Sequence, residues 1–239
     1  MNSRQVTGVF AISVLILSFF LVITYYAGQT TTTIAQPSKP TRRNTVVIDA
    51  GHGGIDGGAT SCSGVLESQI NLEIALRLND LMHFLGHETL MIRTTDKSVY
   101  TSGNTIAAQK VSDLKQRVRI VNETEDGILI SIHQNIFSDG RYSGAQVFFA
   151  PDKESKELAI KLQTNLIQTL NPGSNRKSKK ADSIYLLEHI MRPGILIECG
   201  FLSNIEEEAK LRSAEYQKRL CAVIATTVSA HFKEGSNLS

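Results

Sequence analysis

Two histidines and a glutamate each stand where a run of aliphatic residues breaks off: His52 in VVIDAGHGG, His133 in ILISIHQN and Glu198 in GILIECGF. If these runs are neighbouring strands of one parallel sheet, their carboxyl ends bring the three polar side chains to one rim. Two His and a carboxylate can hold a zinc ion with a ligand position left open, and a further carboxylate can then act on water there. The local HExxH spacing is absent, so a third ligand must come from elsewhere in the chain. Glu67, which follows the His52 loop and opens a helix, is the candidate. A first-turn carboxylate is also favoured by the helix dipole alone, by about 0.3–1 kcal/mol, so Glu67 draws its meaning from the two histidines. Likewise, the glycines around His52 serve any tight turn, and a single His such as His133 is more often a satisfied, partly buried side chain. Glu73, farther along the same helix, reads as solvent-facing.

Glu198 follows four apolar residues, where a carboxylate is costly to bury unless it is paired or lies in a cleft. It reads as the catalytic acid/base, with a structural salt bridge as the alternative. Its neighbour Cys199 points to the opposite face of an extended strand and suits the core as a small hydrophobe. Cys62, in the loop before Glu67, is a weaker rival ligand. The chain has three cysteines in all, without CxxC spacing, which suggests neither a disulfide framework nor a zinc knuckle. Metal-binding imidazoles need partners that fix their tautomers, and Asp49 and Asn135 are the nearest in sequence.

The elements that must position these groups alternate. Thr45–Ile48 reads as a strand, and residues 67–85 read as an amphipathic helix with Ile70, Ile74, Leu78, Leu81 and Leu85 inward, ended by Gly86. A strand at 89–92 follows, then a helix marked by Leu114, Val118 and Val121, then strands at 128–132 and 144–149. Residues 154–170 carry Leu158, Leu162, Leu166 and Leu170 on one helix face. Strands at 184–187 and 195–197 complete the set, and Asn204 with Glu207 marks a helix start. A last helix with Leu220, Val223, Ile224 and Val228 inward closes near Phe232. This alternation predicts a single α/β domain with a mostly parallel twisted sheet flanked by helices. Residues 97–113 lack a period and read as an insertion-like loop, and the basic run from Arg176 to Lys180 reads as a solvated loop or as an attraction for an anionic wall polymer.

The amino terminus differs in kind. Residues 6–27 are apolar apart from Thr, Ser and Gly, long enough to cross a bilayer. The expected organisation is a signal or transmembrane segment over 1–28, a flexible Thr/Pro/Ser-rich linker over 29–44, a catalytic domain over 45–233 and a tail over 234–239. The segment serves as an uncleaved anchor or as a cleaved signal, and in both cases the domain is exported. A formal net charge of +2 gives no reason to invoke nucleic acid, and the absence of Trp argues against a sugar-stacking surface built from indoles.

Taken together, DAGHGG with His52, LESQINL with Glu67, SIHQN with His133 and IECGFLSN with Glu198 resemble the zinc-dependent N-acetylmuramoyl-L-alanine amidases of the Amidase 3 type, in order from Val46 to Phe232. The resemblance implies that His52, Glu67 and His133 bind Zn2+, that Glu198 is the catalytic glutamate, and that one mixed α/β sheet carries them. It continues through Arg93 and Asp96, then Leu114 and Arg117, while the long 97–113 connector is similar to that of the germination-specific, spore-cortex members. The implied reaction is hydrolysis of the amide between the lactyl group of N-acetylmuramic acid and L-alanine in cortex peptidoglycan, a step towards muramic δ-lactam. A vegetative autolysin, another zinc peptidase or deacetylase of the wall, and a wall-binding protein with an inactive site are the competing readings. An exported accessory protein that orders the zinc site is a further expectation, as is membrane attachment through the first segment.

Overall fold

The computed structural model describes residues 17–19, which are helical, and residues 45–236. The expected membrane segment and linker otherwise lie outside the described residues. Among those described, no helix is long and apolar enough to cross a membrane.

Six strands, β1 (Thr45–Ala50), β2 (Thr89–Met91), β3 (Gly127–Asn135), β4 (Gln146–Phe149), β5 (Lys179–Lys180) and β6 (Gly194–Phe201), form one sheet in the order β2-β1-β3-β6-β4-β5. β2, β1, β3 and β6 are mutually parallel, whereas β4 runs antiparallel to β6 and β5 parallel to β4. The sheet is therefore mixed. β4 reverses direction because residues 136–145, which lead to it, contain no crossover helix.

The helices are α1 (Glu67–Phe84), α2 (Ile106–Glu123), α3 (Lys153–Thr169), α4 (Tyr185–His189), α5 (Ile205–Leu211) and α6 (Ala214–Ser236). β1 and β3 are apolar on both faces because both are covered. Val46, Ile48, Ile130 and Ile197 pack under Ile74 and Leu78 of α1, Leu162 of α3 and Ile224 of α6. On the other face Val47, Leu129 and Leu196 meet Val121 of α2 and Leu186 and Leu187 of α4. Helix α1 ends as expected at Gly86, where His87 N donates to Met82 O at 3.0 Å.

Three expectations are corrected. Residues 106–113 are the first turns of α2 and not loop; Thr105 caps them by accepting from Ala108 N. Their apolar side chains Ile106 and Val111 are exposed while the buried ones are Ser112 and Arg117, so a search for an apolar stripe misses the helix. Residues 184–187, read as a strand, start the short helix α4, since a brief apolar run does not by itself distinguish the two. The sheet takes instead Lys179–Lys180, exposed as expected of a charged run but paired with Phe148 and Phe149. The last helix also continues to Ser236, into the expected tail.

Candidate active site

β1, β3 and β6 lie side by side, and their carboxyl ends form one rim. His133 of β3 is in register with Glu198 of β6, so both side chains leave the sheet on the face that carries Leu129 and Leu196. Along that face the helix-covered cluster gives way to buried Asp49 and Ser131, then to the partly exposed His133 and Glu198. His52 follows β1 after one residue, with a left-handed backbone (φ 60°), and Glu67 is the first residue of α1.

Glu67 lies between the two imidazoles. Its Oε1 is 3.0 Å from His133 Nδ1 and its Oε2 is 3.3 Å from His52 Nε2. The rings are 5.0 Å apart in an edge-on arrangement, and one ligand atom from each of the three residues falls within 4.8 Å of the others. The carboxylate is held in place by backbone: Ala59 N donates to Oε2 at 3.0 Å, Gln134 N to Oε1 at 3.1 Å. Asn71, one turn further along α1, donates to Oε1 at 3.3 Å and to Gly51 O at 3.1 Å. Two glycines leave room for this convergence. A Cβ at Gly51 would come within 2.1 Å of His133 Nε2, and one at Gly58 (φ 68°) within 2.6 Å of Glu67 Oε2.

His52 Nδ1 is 2.8 Å from Asp56 Oδ2, which directs Nε2 at Glu67. Asp56 Oδ1 in turn pairs with Lys110 of α2 at 2.8 Å. This replaces the expected partners. Asp49 is buried and engaged by Arg117 Nη1, with Ser131 Oγ donating to its other oxygen at 2.7 Å, while the Asn135 carbonyl accepts from Leu202 N. Arg93 is buried as well, and donates to Ala50 O at 2.7 Å, Gly51 O at 3.0 Å and Ser68 O at 2.8 Å, so it ties the end of β1 to the start of α1.

The charges follow from this packing. Burial alone would push the Glu67 carboxyl up, but hydrogen bonds and charge from His133 and His52 outweigh it and hold the group well below the usual carboxylate range. Burial would lower His52, yet Glu67 and Asp56 raise it to about 9. Burial dominates at Glu198: opposed by His133 and reinforced by Glu67, it lifts the carboxyl to about 7. Glu198 Oε2 is also buried with no hydrogen-bond partner in the structure.

Of the residues singled out by sequence, His52, Glu67 and His133 converge, and Glu198 stands one strand away. Cys199 is buried on the opposite face in the main core, and Cys62 is exposed; both are free, and neither joins the cluster. Glu73 is exposed and accepts from Gln217 Nε2 at 3.0 Å. Asp56, Asn71 and Lys110 were not legible as site residues. Asn71 alone had a usable signal, its position four residues after Glu67, which places both on one helix face.

Two histidines and a carboxylate that could hold a cation, beside a carboxyl lifted to about 7, are equipment for hydrolysis, and the protein is a hydrolase by class. Residues 46–230 match the model of Amidase_3, described as N-acetylmuramoyl-L-alanine amidase, and the chain belongs to that family. It is 35% identical to the germination-specific N-acetylmuramoyl-L-alanine amidase of Bacillus subtilis (strain 168) over 199 residues, 82% of this chain and 83% of the relative. Among solved structures it is similar to the CwlD amidase from Clostridioides difficile in complex with the GerS lipoprotein, with a TM-score of 0.76 and 36% identity over 80% of this chain and 98% of that one. The N-acetylmuramoyl-L-alanine amidase from Clostridium difficile 630 gives a TM-score of 0.68 at 29% identity, over 79% of this chain and 96% of that one.

Proposed function

We propose that this amidase hydrolyses, with zinc, the amide between the lactyl group of N-acetylmuramic acid and L-alanine in spore-cortex peptidoglycan. The observation that carries the reading is the convergence of His52, Glu67 and His133 next to Glu198, in a chain with a germination-specific relative. Two imidazole nitrogens and a carboxylate are a zinc donor set, and His52, Glu67 and His133 would hold the ion. The fit is supported by His52 itself: Glu67 and Asp56 draw a proton onto it up to about pH 9, so the site attracts positive charge. When bound, zinc supplies Lewis acidity, which polarises a carbonyl and acidifies water.

Glu198 acts as acid and base. Its buried, unpartnered Oε2 is free to take a proton from the attacking water, and a carboxyl poised near 7 can return it to the leaving nitrogen. Asp56, by accepting from His52 Nδ1, would keep the proton there and leave Nε2 to hold the ion. The apolar segment at 6–27 supports export, with the linker as a tether that leaves the domain on the wall side. An exported lipoprotein partner belongs to the same reading, because the similar C. difficile amidase is in complex with one. Full activity and tight zinc in the isolated domain would dispose of that partner.

The decisive experiment is digestion of purified cortex peptidoglycan with zinc added, followed by mass spectrometry. Intact stem peptides with a free L-alanine amino terminus are the expected product. Cleavage within the stem, or loss of acetyl groups only, would overturn the reading.

A further inference from the structure

Glu198 is the last residue of β6 with regular pairing on both sides. It faces His133 across the parallel pair with β3, and Gln146, the first residue of β4, across the antiparallel one. Beyond it the strands fall out of step: β3 advances from His133 to Asn135 while β6 advances from Glu198 to Phe201. One extra residue therefore sits in β6 directly after Glu198. Such a bulge is rare between parallel strands, and beside an active site a bulge re-aims a side chain. Aim matters here because Glu198 Oε2 is buried with no hydrogen-bond partner. No such bond holds that oxygen, so the strand that carries Glu198 has to point it.

The bulge is closed by a second carboxylate. Glu207, in the first turn of α5, is buried at 5% exposure. Its Oε2 accepts from Phe201 N and its Oε1 from Gly144 N, each at 2.7 Å. Continued on the Gln146–Glu198 register, Gly144 would lie opposite Gly200. The Glu207 carboxylate thus stands between β4 and β6 where their ladder would otherwise go on, and the pairing stops at Glu198. Gly200 leaves the space for it, since a Cβ there would come within 2.8 Å of Glu207 Cδ. Gly200 does not have a left-handed backbone, so it is this contact that calls for glycine. The wedge is itself anchored: Asn204 Oδ1 accepts from Glu207 N at 3.0 Å, and Asn204 N donates to Phe201 O at 3.2 Å. A carboxylate suits the place because it offers two acceptors and no donor. An amide would turn its NH2 towards one of the two backbone N–H groups.

We propose that Glu207 is a positioning residue for the reaction: by ending the β4–β6 ladder and holding the bulge, it fixes where Glu198 stands beside His133. The inference rests on Glu198 as acid and base. It is tested on the zinc-loaded enzyme with a soluble muramyl peptide. Glu207→Gln keeps the size of the side chain and removes one acceptor. Its kcat is expected to fall about 10–100-fold, as for a catalytic group displaced by about 1 Å, with KM and zinc content within about twofold of wild type. Gly200→Ala removes no polar group but pushes on the Glu207 carboxylate, so it should lower kcat in the same way. It carries the test if Glu207→Gln does not fold. The measurement that separates positioning from plain stability is the double variant. In a Glu198→Gln background the Glu207→Gln change should cost less than about twofold, because a residue that acts through Glu198 has nothing left to position. The same 10–100-fold cost in both backgrounds would leave Glu207 a structural residue only and overturn the proposal. So would an unchanged kcat in both Glu207→Gln and Gly200→Ala. Wild-type turnover in Glu198→Gln alone would instead remove Glu198 from the chemistry, and this inference would fall with that reading.

Discussion

Lys110 Nζ lies 2.8 Å from Asp56 Oδ1, and the other oxygen of that carboxylate is 2.8 Å from His52 Nδ1. A residue of the long connector thereby reaches the imidazole of the His52–Glu67–His133 cluster through one intermediary. Two further contacts act on the same loop: Ser98 Oγ donates to Gly53 O at 2.6 Å, and Arg117 Nη2 to His52 O at 2.8 Å. The connector is closed on itself by Asp113, whose oxygens accept from Val99 N at 2.6 Å and Arg117 Nε at 2.5 Å. His52 has a left-handed backbone that a non-glycine residue keeps only when its surroundings hold it there, and this segment supplies the hold.

Asp56→Asn should therefore weaken zinc binding by about 10–100-fold, the usual effect of removing the partner that orients a ligating imidazole. Lys110→Met should weaken it less, by up to about fivefold, because the pair is half exposed and screened. Chelator competition measures both. Wild-type affinity in Asp56→Asn would remove Asp56 from the site.

Glu198→Gln and His133→Ala should fail in opposite ways. The first is expected to keep its zinc and lose about 10²–10⁴ in turnover, the second to lose zinc as measured by elemental analysis. The metal-free Glu198→Gln protein should also be the more stable one above pH 7. The wild-type carboxyl has a folded pKa of about 7 against 4.5 unfolded, so the folded state binds the extra proton between those values and loses stability as pH rises through them. Gln cannot ionise. The expected gain is on the order of 1–3 kcal/mol by denaturant titration at pH 8, and a variant less stable there would show that burial does not govern Glu198.

The parts of the fold and site that were legible in sequence share one property: an apolar pattern that ends abruptly. β1, β3 and β6 are buried on both faces, so each reads as an aliphatic run, and the polar residue on the rim stands at its end: Glu198 directly, His52 and His133 just beyond buried Asp49 and Ser131. Pattern fails where burial is polar. Helix α2 turns Ser112 and Arg117 inward and leaves Ile106 and Val111 exposed, so its first turns resemble a loop. Asp56 and Lys110 are surface-type residues 54 positions apart whose pairing depends on where α2 lies against the His52 loop. The sheet edge was hidden for a similar reason, since β5 is two exposed lysines.

Zinc affinity should depend on pH through His52. Zinc needs its Nε2 unprotonated, and the ring in the metal-free protein is raised to about 9. Binding below that pH releases a proton, so affinity is expected to rise about tenfold per unit from pH 6 towards 9 and then level off. Calorimetry in buffers of different ionisation enthalpy counts the proton released. A flat profile from pH 6 to 9 would show that His52 is already neutral before the ion arrives.

The Asp49–Arg117 pair offers a test of the scaffold separate from the chemistry. Both groups are buried; burial would raise Asp49, but the charge of Arg117, together with His133 and Ser131, holds it below its usual value. A carboxyl depressed on folding contributes stability above its unfolded pKa, which is lost as pH falls through the folded one. Arg117→Met leaves the carboxylate buried with only Ser131 and frees the Ala50 and His52 carbonyls that the guanidinium engages. A loss of about 3–5 kcal/mol is expected, the range for removing one partner of a buried pair. Asp49→Asn should cost less because the amide oxygen can still accept from Arg117 while its NH2 donates to Ser131 Oγ. The wild type should lose stability on acidification below about pH 4 more steeply than Asp49→Asn does, since only the wild type has this carboxylate to protonate. Parallel acid profiles for the two proteins would mean that Asp49 is not held ionised by Arg117, and the base of the His52 loop would then need another source of rigidity.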